Sequence, residues 1–116
     1  MKTVLLAEDD VTMIGLLTTL LKMEGYRVTV PGADADIVET VLKTKPDILL
    51  MDVHMLNLNG IEELTRLRTT PGGEVVRVLM TSGLDFKEQS LKHGANGFIQ
   101  KPFMPEELFS ALRSLE

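Results

Sequence analysis

Cysteine and tryptophan are absent from the 116 residues, and there is a single tyrosine. Without cysteine there is no disulfide and no thiolate metal site, and a reducing compartment suits the chain. Positive charge is also scarce. Twelve Lys and Arg stand against seventeen Asp and Glu, a net charge of −5, and no basic stripe is present. That balance argues against a nucleic-acid-binding surface. No apolar run approaches the roughly 20 residues of a membrane span. The apolar stretch after Met1-Lys2-Thr3 is too short for a signal peptide. The expectation is a cytoplasmic chain with no membrane partner. At 44% hydrophobic residues the composition argues against disorder, and the length suits one compact domain, residues 1–116.

What is present is an alternation of short apolar runs with longer segments at helical spacing. Thr3–Ala7, Tyr26–Val30, Ile48–Asp52, Val75–Thr81 and Gly97–Gln100 read as strands. Val11–Met23 carries Met13, Leu17, Leu20 and Leu21 on one stripe, with Gly25 as its stop. Asp34 or Asp36 is placed to cap a helix bearing Ile37, Val38, Val41 and Leu42, which Pro46 ends. Gly60–Arg68 has Ile61, Leu64 and Leu67 at helical spacing, before a break at Pro71-Gly72-Gly73. Phe86–His93 reads as a short helix, and Pro105–Leu115 as a helix turning Leu108, Phe109, Leu112 and Leu115 inward. The seven methionines read as core filler. Strand and helix thus alternate five times, an α/β doubly wound (βα)5 pattern with a parallel sheet covered on both faces. Such sheets bind ligands outside the carboxyl ends of their strands.

Those ends supply a concentrated set of polar groups. Glu8, Asp9 and Asp10 follow the first strand, and Asp52 ends the third. Thr81 and Ser82 stand at the end of the fourth, and Lys101 follows the fifth. Singly, each has an ordinary reading as a helix cap, a turn residue or a surface lysine. Their recurrence at successive strand ends does not. Converging carboxylates raise one another's pKa unless a cation sits among them. With oxygen donors only, the expected cation is hard: Mg²⁺, or Mn²⁺ in its place. Asp10 is assigned mainly to capping, leaving Glu8 and Asp9 to the site. The His54 imidazole reads as a loop group, since no second His or Cys accompanies it, and His93 lies on an exposed helix.

The chain resembles, over nearly its whole length, the receiver domain of two-component response regulators. "LLAEDD" is similar to the family's acidic pair, and "ILLMDVHMLNLNG" to its phosphoacceptor strand with a glycine at the usual distance. "VLMTSG" resembles the strand carrying its hydroxyl, and "GANGFIQKPF" the strand carrying its lysine. The resemblance implies a sheet order of 2-1-3-4-5, which the spacing alone does not give. It implies that Asp52 accepts a phosphoryl group from a sensor histidine kinase or phosphotransfer protein. Mg²⁺ would be held by Asp9 directly, Glu8 through water, Asp52 and the backbone carbonyl of His54. Lys101 would pair with the phosphoryl oxygens, and Ser82 would donate to one, with Thr81 as the alternative. Phe98 would be the aromatic that responds, Gly60 and Pro102 would be structural, and Lys101-Pro102 would be cis. The changed surface would be the fourth helix, fifth strand and fifth helix, where a homodimer would also form. No enzyme is implied beyond Mg²⁺-dependent self-phosphorylation and slow self-dephosphorylation.

Three departures stand out. Leu56 occupies a position commonly proline, which implies a less rigid loop after Asp52. Ser82 to Lys101 is nineteen residues, about three fewer than the family commonly has, which implies a short or reorganised fourth helix. Leu84 is apolar where many members are polar, which implies restricted water access and slow loss of phosphate. Three other readings fit less well. A dehalogenase-like phosphatase needs a second Asp where His54 stands. A flavodoxin-like cofactor binder would not place three carboxylates in its phosphate loop. A receiver-like interaction module that is never phosphorylated would not need every key position filled.

Overall fold

The computed structural model describes residues 2–116. Five strands form one parallel sheet: β1 (Thr3–Ala7), β2 (Arg27–Thr29), β3 (Ile48–Asp52), β4 (Arg77–Ser82) and β5 (Gly97–Gln100). Their spatial order is β2-β1-β3-β4-β5, as the resemblance implied. Helices α1 (Val11–Met23), α2 (Ile37–Thr44), α3 (Gly60–Thr69), α4 (Lys87–Lys92) and α5 (Pro105–Ser114) connect and follow them.

The central strands are apolar throughout because both faces of the sheet are covered. Leu5, Leu49, Met51, Val78 and Met80 pack with Val38, Val41, Leu64 and Leu67 from α2 and α3. The alternate residues Leu6, Ile48, Leu50, Leu79 and Ile99 pack with Leu17, Leu21, Leu108 and Leu112 from α1 and α5. Met51 and Met80 are core filler as expected, whereas Met23 and Met104 are exposed. No described helix is long and apolar enough to cross a membrane.

Caps set the element boundaries. The Asp10 carboxylate accepts from Met13 N at 3.0 Å and starts α1. Asp36, not Asp34, does the same for α2 through Glu39 N. The helix ends at Lys45, whose φ of 49° is left-handed, and the following Pro46 disfavours any further helical turn. The fourth strand begins at Arg77, two residues later than the β-branched run suggests, and Val75 is 76% exposed. The carbonyls of Gly73 and Val76 accept from Arg68 instead of joining the sheet. The second strand is also shorter than expected, because Tyr26 N bonds back to Leu21 O at the end of α1. Helix α4 has six residues, in line with the short connection from Ser82 to Lys101.

Candidate functional site at the carboxyl edge of the sheet

β1 and β3 lie side by side, with Ala7 opposite Met51, so their carboxyl ends bring Glu8 and Asp9 next to Asp52. Oxygens of these three carboxylates all lie within 4.8 Å of one another. Glu8 and Asp52 are buried, while Asp9 is exposed. Lys101 reaches in from the end of β5. Its Nζ stands 2.8 Å from Glu8 Oε1 and 3.2 Å from Asp52 Oδ2. The peptide bond between Lys101 and Pro102 is cis.

Backbone amides anchor the same carboxylates. Glu8 Oε2 accepts from the N–H groups of Asp9 at 3.1 Å and Asp10 at 3.3 Å. Asp52 Oδ1 accepts from His54 N at 3.4 Å, and Asp9 Oδ2 accepts from Leu56 N. Burial pushes the Asp52 carboxyl above its ordinary value. Lys101 opposes that shift and the charge of Glu8 adds to it. Burial works against the Lys101 ammonium, but its bond to Glu8 and the field of Asp52 outweigh this and raise its pKa. One ammonium among three carboxylates leaves an excess of negative charge on hard oxygen donors. That donor set fits a hard divalent cation.

The loop after Asp52 differs from the sequence expectation. Met55 pairs with Leu58 and His54 with Asn59, in a two-stranded antiparallel hairpin. The Leu56 amide ties the hairpin tip to Asp9, a bond that proline cannot make. Gly60 is needed at the hairpin's end: an added Cβ would lie 2.3 Å from the Asp52 carbonyl oxygen. The His54 imidazole is exposed and meets the Phe86 ring edge-on, with centroids 5.0 Å apart.

Thr81 and Ser82 are both buried. Thr81 pairs in register with Asp52 and Ile99, a step back from the sheet edge, while Ser82 pairs with Gln100 at the edge itself. Alternation places Ser82 on the face of Met80, whose partner across the strands is Phe98. Ser82 Oγ accepts from Leu84 N at 3.1 Å, at the start of the connection to α4. Phe98 is half-buried and packs on the α2–α3 side of the core. Leu84 is 62% exposed, on the solvent side of this connection. One contributor, the Leu56 amide, is signalled in the sequence only by the missing proline.

The chain is similar to known proteins in sequence and in fold. Residues 4–113 match the family model described as the response regulator receiver domain. The DNA-binding response regulator MtrA of Mycolicibacterium paratuberculosis is 30% identical over 111 residues, 96% of this chain and 49% of that protein. The transcriptional regulatory protein CpxR of Klebsiella pneumoniae is 34% identical over 115 residues, 99% of this chain and 49% of that protein. The chain thus spans about half the length of the curated relatives it matches. Among solved structures, a response regulator protein of Burkholderia multivorans superposes with a TM-score of 0.74 at 31% identity, covering 98% of this chain and 94% of that one. The receiver domain of the sensor histidine kinase PA1611 of Pseudomonas aeruginosa, solved with a magnesium ion coordinated in its active-site cleft, gives 0.87 at 26% identity. That match covers 98% of this chain and 96% of the other. With the sheet order, the carboxylate group and the lysine all in place, this chain belongs to the response regulator receiver domain family.

Proposed function

We propose that this domain is a phosphoacceptor switch in which Asp52 takes a phosphoryl group from a phosphohistidine on a sensor histidine kinase or phosphotransfer protein. The observation that carries this reading is the setting of Asp52: a buried carboxylate in contact with Lys101 and grouped with Glu8 and Asp9. Phosphoryl transfer asks a protein mainly for positioning and charge compensation. Asp9, Asp52, Glu8 and the His54 carbonyl are the groups that would hold Mg²⁺, or Mn²⁺. A bound ion supplies positive charge against the phosphoryl oxygens.

The protein's own groups do the rest. Lys101 offsets charge on the transferred group, and its contact with Glu8 keeps it aimed there. Ser82 is the hydroxyl that turns toward the new acyl phosphate, because it lies at the sheet edge, on the side of Phe98. Its movement loosens the Leu84 amide and gives Phe98 room, so the α4-β5-α5 surface changes. A second copy would pair on that surface. The chemistry is self-phosphorylation and slow self-dephosphorylation, without turnover of another substrate. The excess of acidic residues supports a domain that does not itself contact nucleic acid, and the lack of cysteine suits the cytoplasm.

The test is peptide mass spectrometry after exposure to a small phosphodonor with Mg²⁺. Phosphate on the peptide holding Asp52 supports the reading, and phosphate only elsewhere contradicts it. Ser82→Ala and Thr81→Ala then separate the two hydroxyls: loss of the conformational response only in the Thr81 variant would reverse the assignment.

A further inference from the structure

Beside the carboxylate group, a cleft of about 160 Å³ separates the β2–α2 connection from the hairpin that follows Asp52. One wall is Pro31 and Ala33 with the buried Ile37 of α2, and the facing wall is Leu56 and Leu58. Both walls are held in place. Ala35 N donates to Gly32 O at 3.0 Å within the β2–α2 connection, and Asp36 at its end caps α2 and pairs with Arg66. The opposite wall is fixed by the pairing of Met55 with Leu58 and by the Leu56 amide on Asp9. A site built in advance loses little to ordering when it is filled.

The charge of the cleft is one-sided. Glu8 and Asp9 border it, and among the described residues no Lys or Arg does. Glu8 is fully engaged, with Oε1 on Lys101 and Oε2 on the amides of Asp9 and Asp10. Asp9 is exposed and makes no ion pair among the described residues, and the Leu56 amide takes only its Oδ2. Leu56, 89% exposed, and Leu58 keep apolar surface in water at the same place. Covering such surface is favourable in proportion to the area removed from water. An anion is repelled here, and a bare metal ion leaves the apolar wall wet.

We propose that this cleft binds a small organic monocation of the aliphatic-amine class, with its ammonium on Asp9 and its hydrocarbon part between Ile37 and Leu56. The volume lies below the roughly 300–1,000 Å³ of drug-sized sites, which limits the ligand to a few carbon atoms. Such a ligand contends with a divalent cation for Asp9 and so opposes phosphorylation. That consequence rests on the proposed function; the binding itself does not.

The experiment is a titration of the whole chain without divalent metal, at constant ionic strength, followed by amide proton and nitrogen chemical shifts. The probes are n-butylammonium, n-butanol and ammonium. n-Butylammonium should give saturable shifts at Ala33, Ile37 and Leu56. n-Butanol should bind about fivefold more weakly, the worth of one partly exposed ion pair. Ammonium, which has no hydrocarbon part, should also be weaker by at least about fivefold. Asp9→Asn should bring n-butylammonium down to the level of n-butanol. Leu56→Ser keeps the amide on Asp9 but loses the apolar wall, and should weaken both organic probes alike. n-Butanol or ammonium binding as well as n-butylammonium would overturn the proposal, as would shifts that never saturate. Added Mg²⁺ should raise the apparent dissociation constant of n-butylammonium. An unchanged constant would count against Mg²⁺ on Asp9 and leave the cleft standing, so the two readings fail separately.

Discussion

Lys101 Nζ joins the ends of β1 and β3, contacting Glu8 at 2.8 Å and Asp52 at 3.2 Å. One ammonium thus serves two buried carboxylates. Replacing it by an apolar side chain of similar length leaves both charges uncompensated. Lys101→Met should lower stability in EDTA by about 2 kcal/mol, below the roughly 3–5 kcal/mol of a fully buried pair because the lysine is partly exposed. Chemical denaturation with and without Mg²⁺ checks this. The loss should be smaller with the metal present, and an equal loss in both conditions would contradict the shared-charge account.

A divalent cation should stabilise the domain by mass action. At ten times its dissociation constant, Mg²⁺ should add about 1.4 kcal/mol to the unfolding free energy. Differential scanning calorimetry should show a rise in Tm for the wild type and little or none for Asp9→Asn. An equal Tm rise in both proteins would remove Asp9 from the site.

Gly60 has no room for a side chain. A Cβ there would meet the Asp52 carbonyl oxygen at 2.3 Å and Val53 Cα at 2.8 Å, both backbone atoms. Gly60→Ala should cost about 3 kcal/mol, since the strand bearing the acceptor has to shift. It should also slow phosphorylation. A loss below roughly 0.5 kcal/mol, the range of neutral surface changes, would show that the hairpin yields easily.

Tyr26 is the single tyrosine, which makes its ionisation readable on its own. Burial raises its pKa above the usual 10.0, and the hydrogen bond to Glu116 at 2.6 Å raises it further. A folded-state pKa above the unfolded one stabilises fully below pH 10 and loses that contribution as pH rises through the folded value. Tyrosinate absorbance should therefore appear only as the protein unfolds in alkali. Ionisation near pH 10 in the folded state would contradict the packing at this corner.

The element order was legible because each central strand is an apolar run ending in a carboxylate or hydroxyl. Asp10 and Pro46 marked boundaries by their own chemistry. The hairpin after Asp52 was not legible, since strands of two residues are too short to show a period. Val75 read as strand from its β-branched side chain, but the carbonyls around it serve Arg68. Arg68 itself looks no different in sequence from Arg66, which forms surface ion pairs with Asp36 and Glu63. Only the fold separates a structural staple from a solvated charge two residues away. At the site the strand-end residues could be named beforehand, because topology alone brings them together. The amide of Leu56 is marked only by the absence of proline, which does not say what it bonds to.

The most direct measurement is the intact mass of the protein after incubation with acetyl phosphate and Mg²⁺. The account predicts a gain of about 80 Da, one phosphoryl group, in the wild type. The gain should be absent in EDTA and in Asp52→Asn. An unmodified wild type, or an adduct that persists in Asp52→Asn, would contradict Asp52 as the phosphoacceptor.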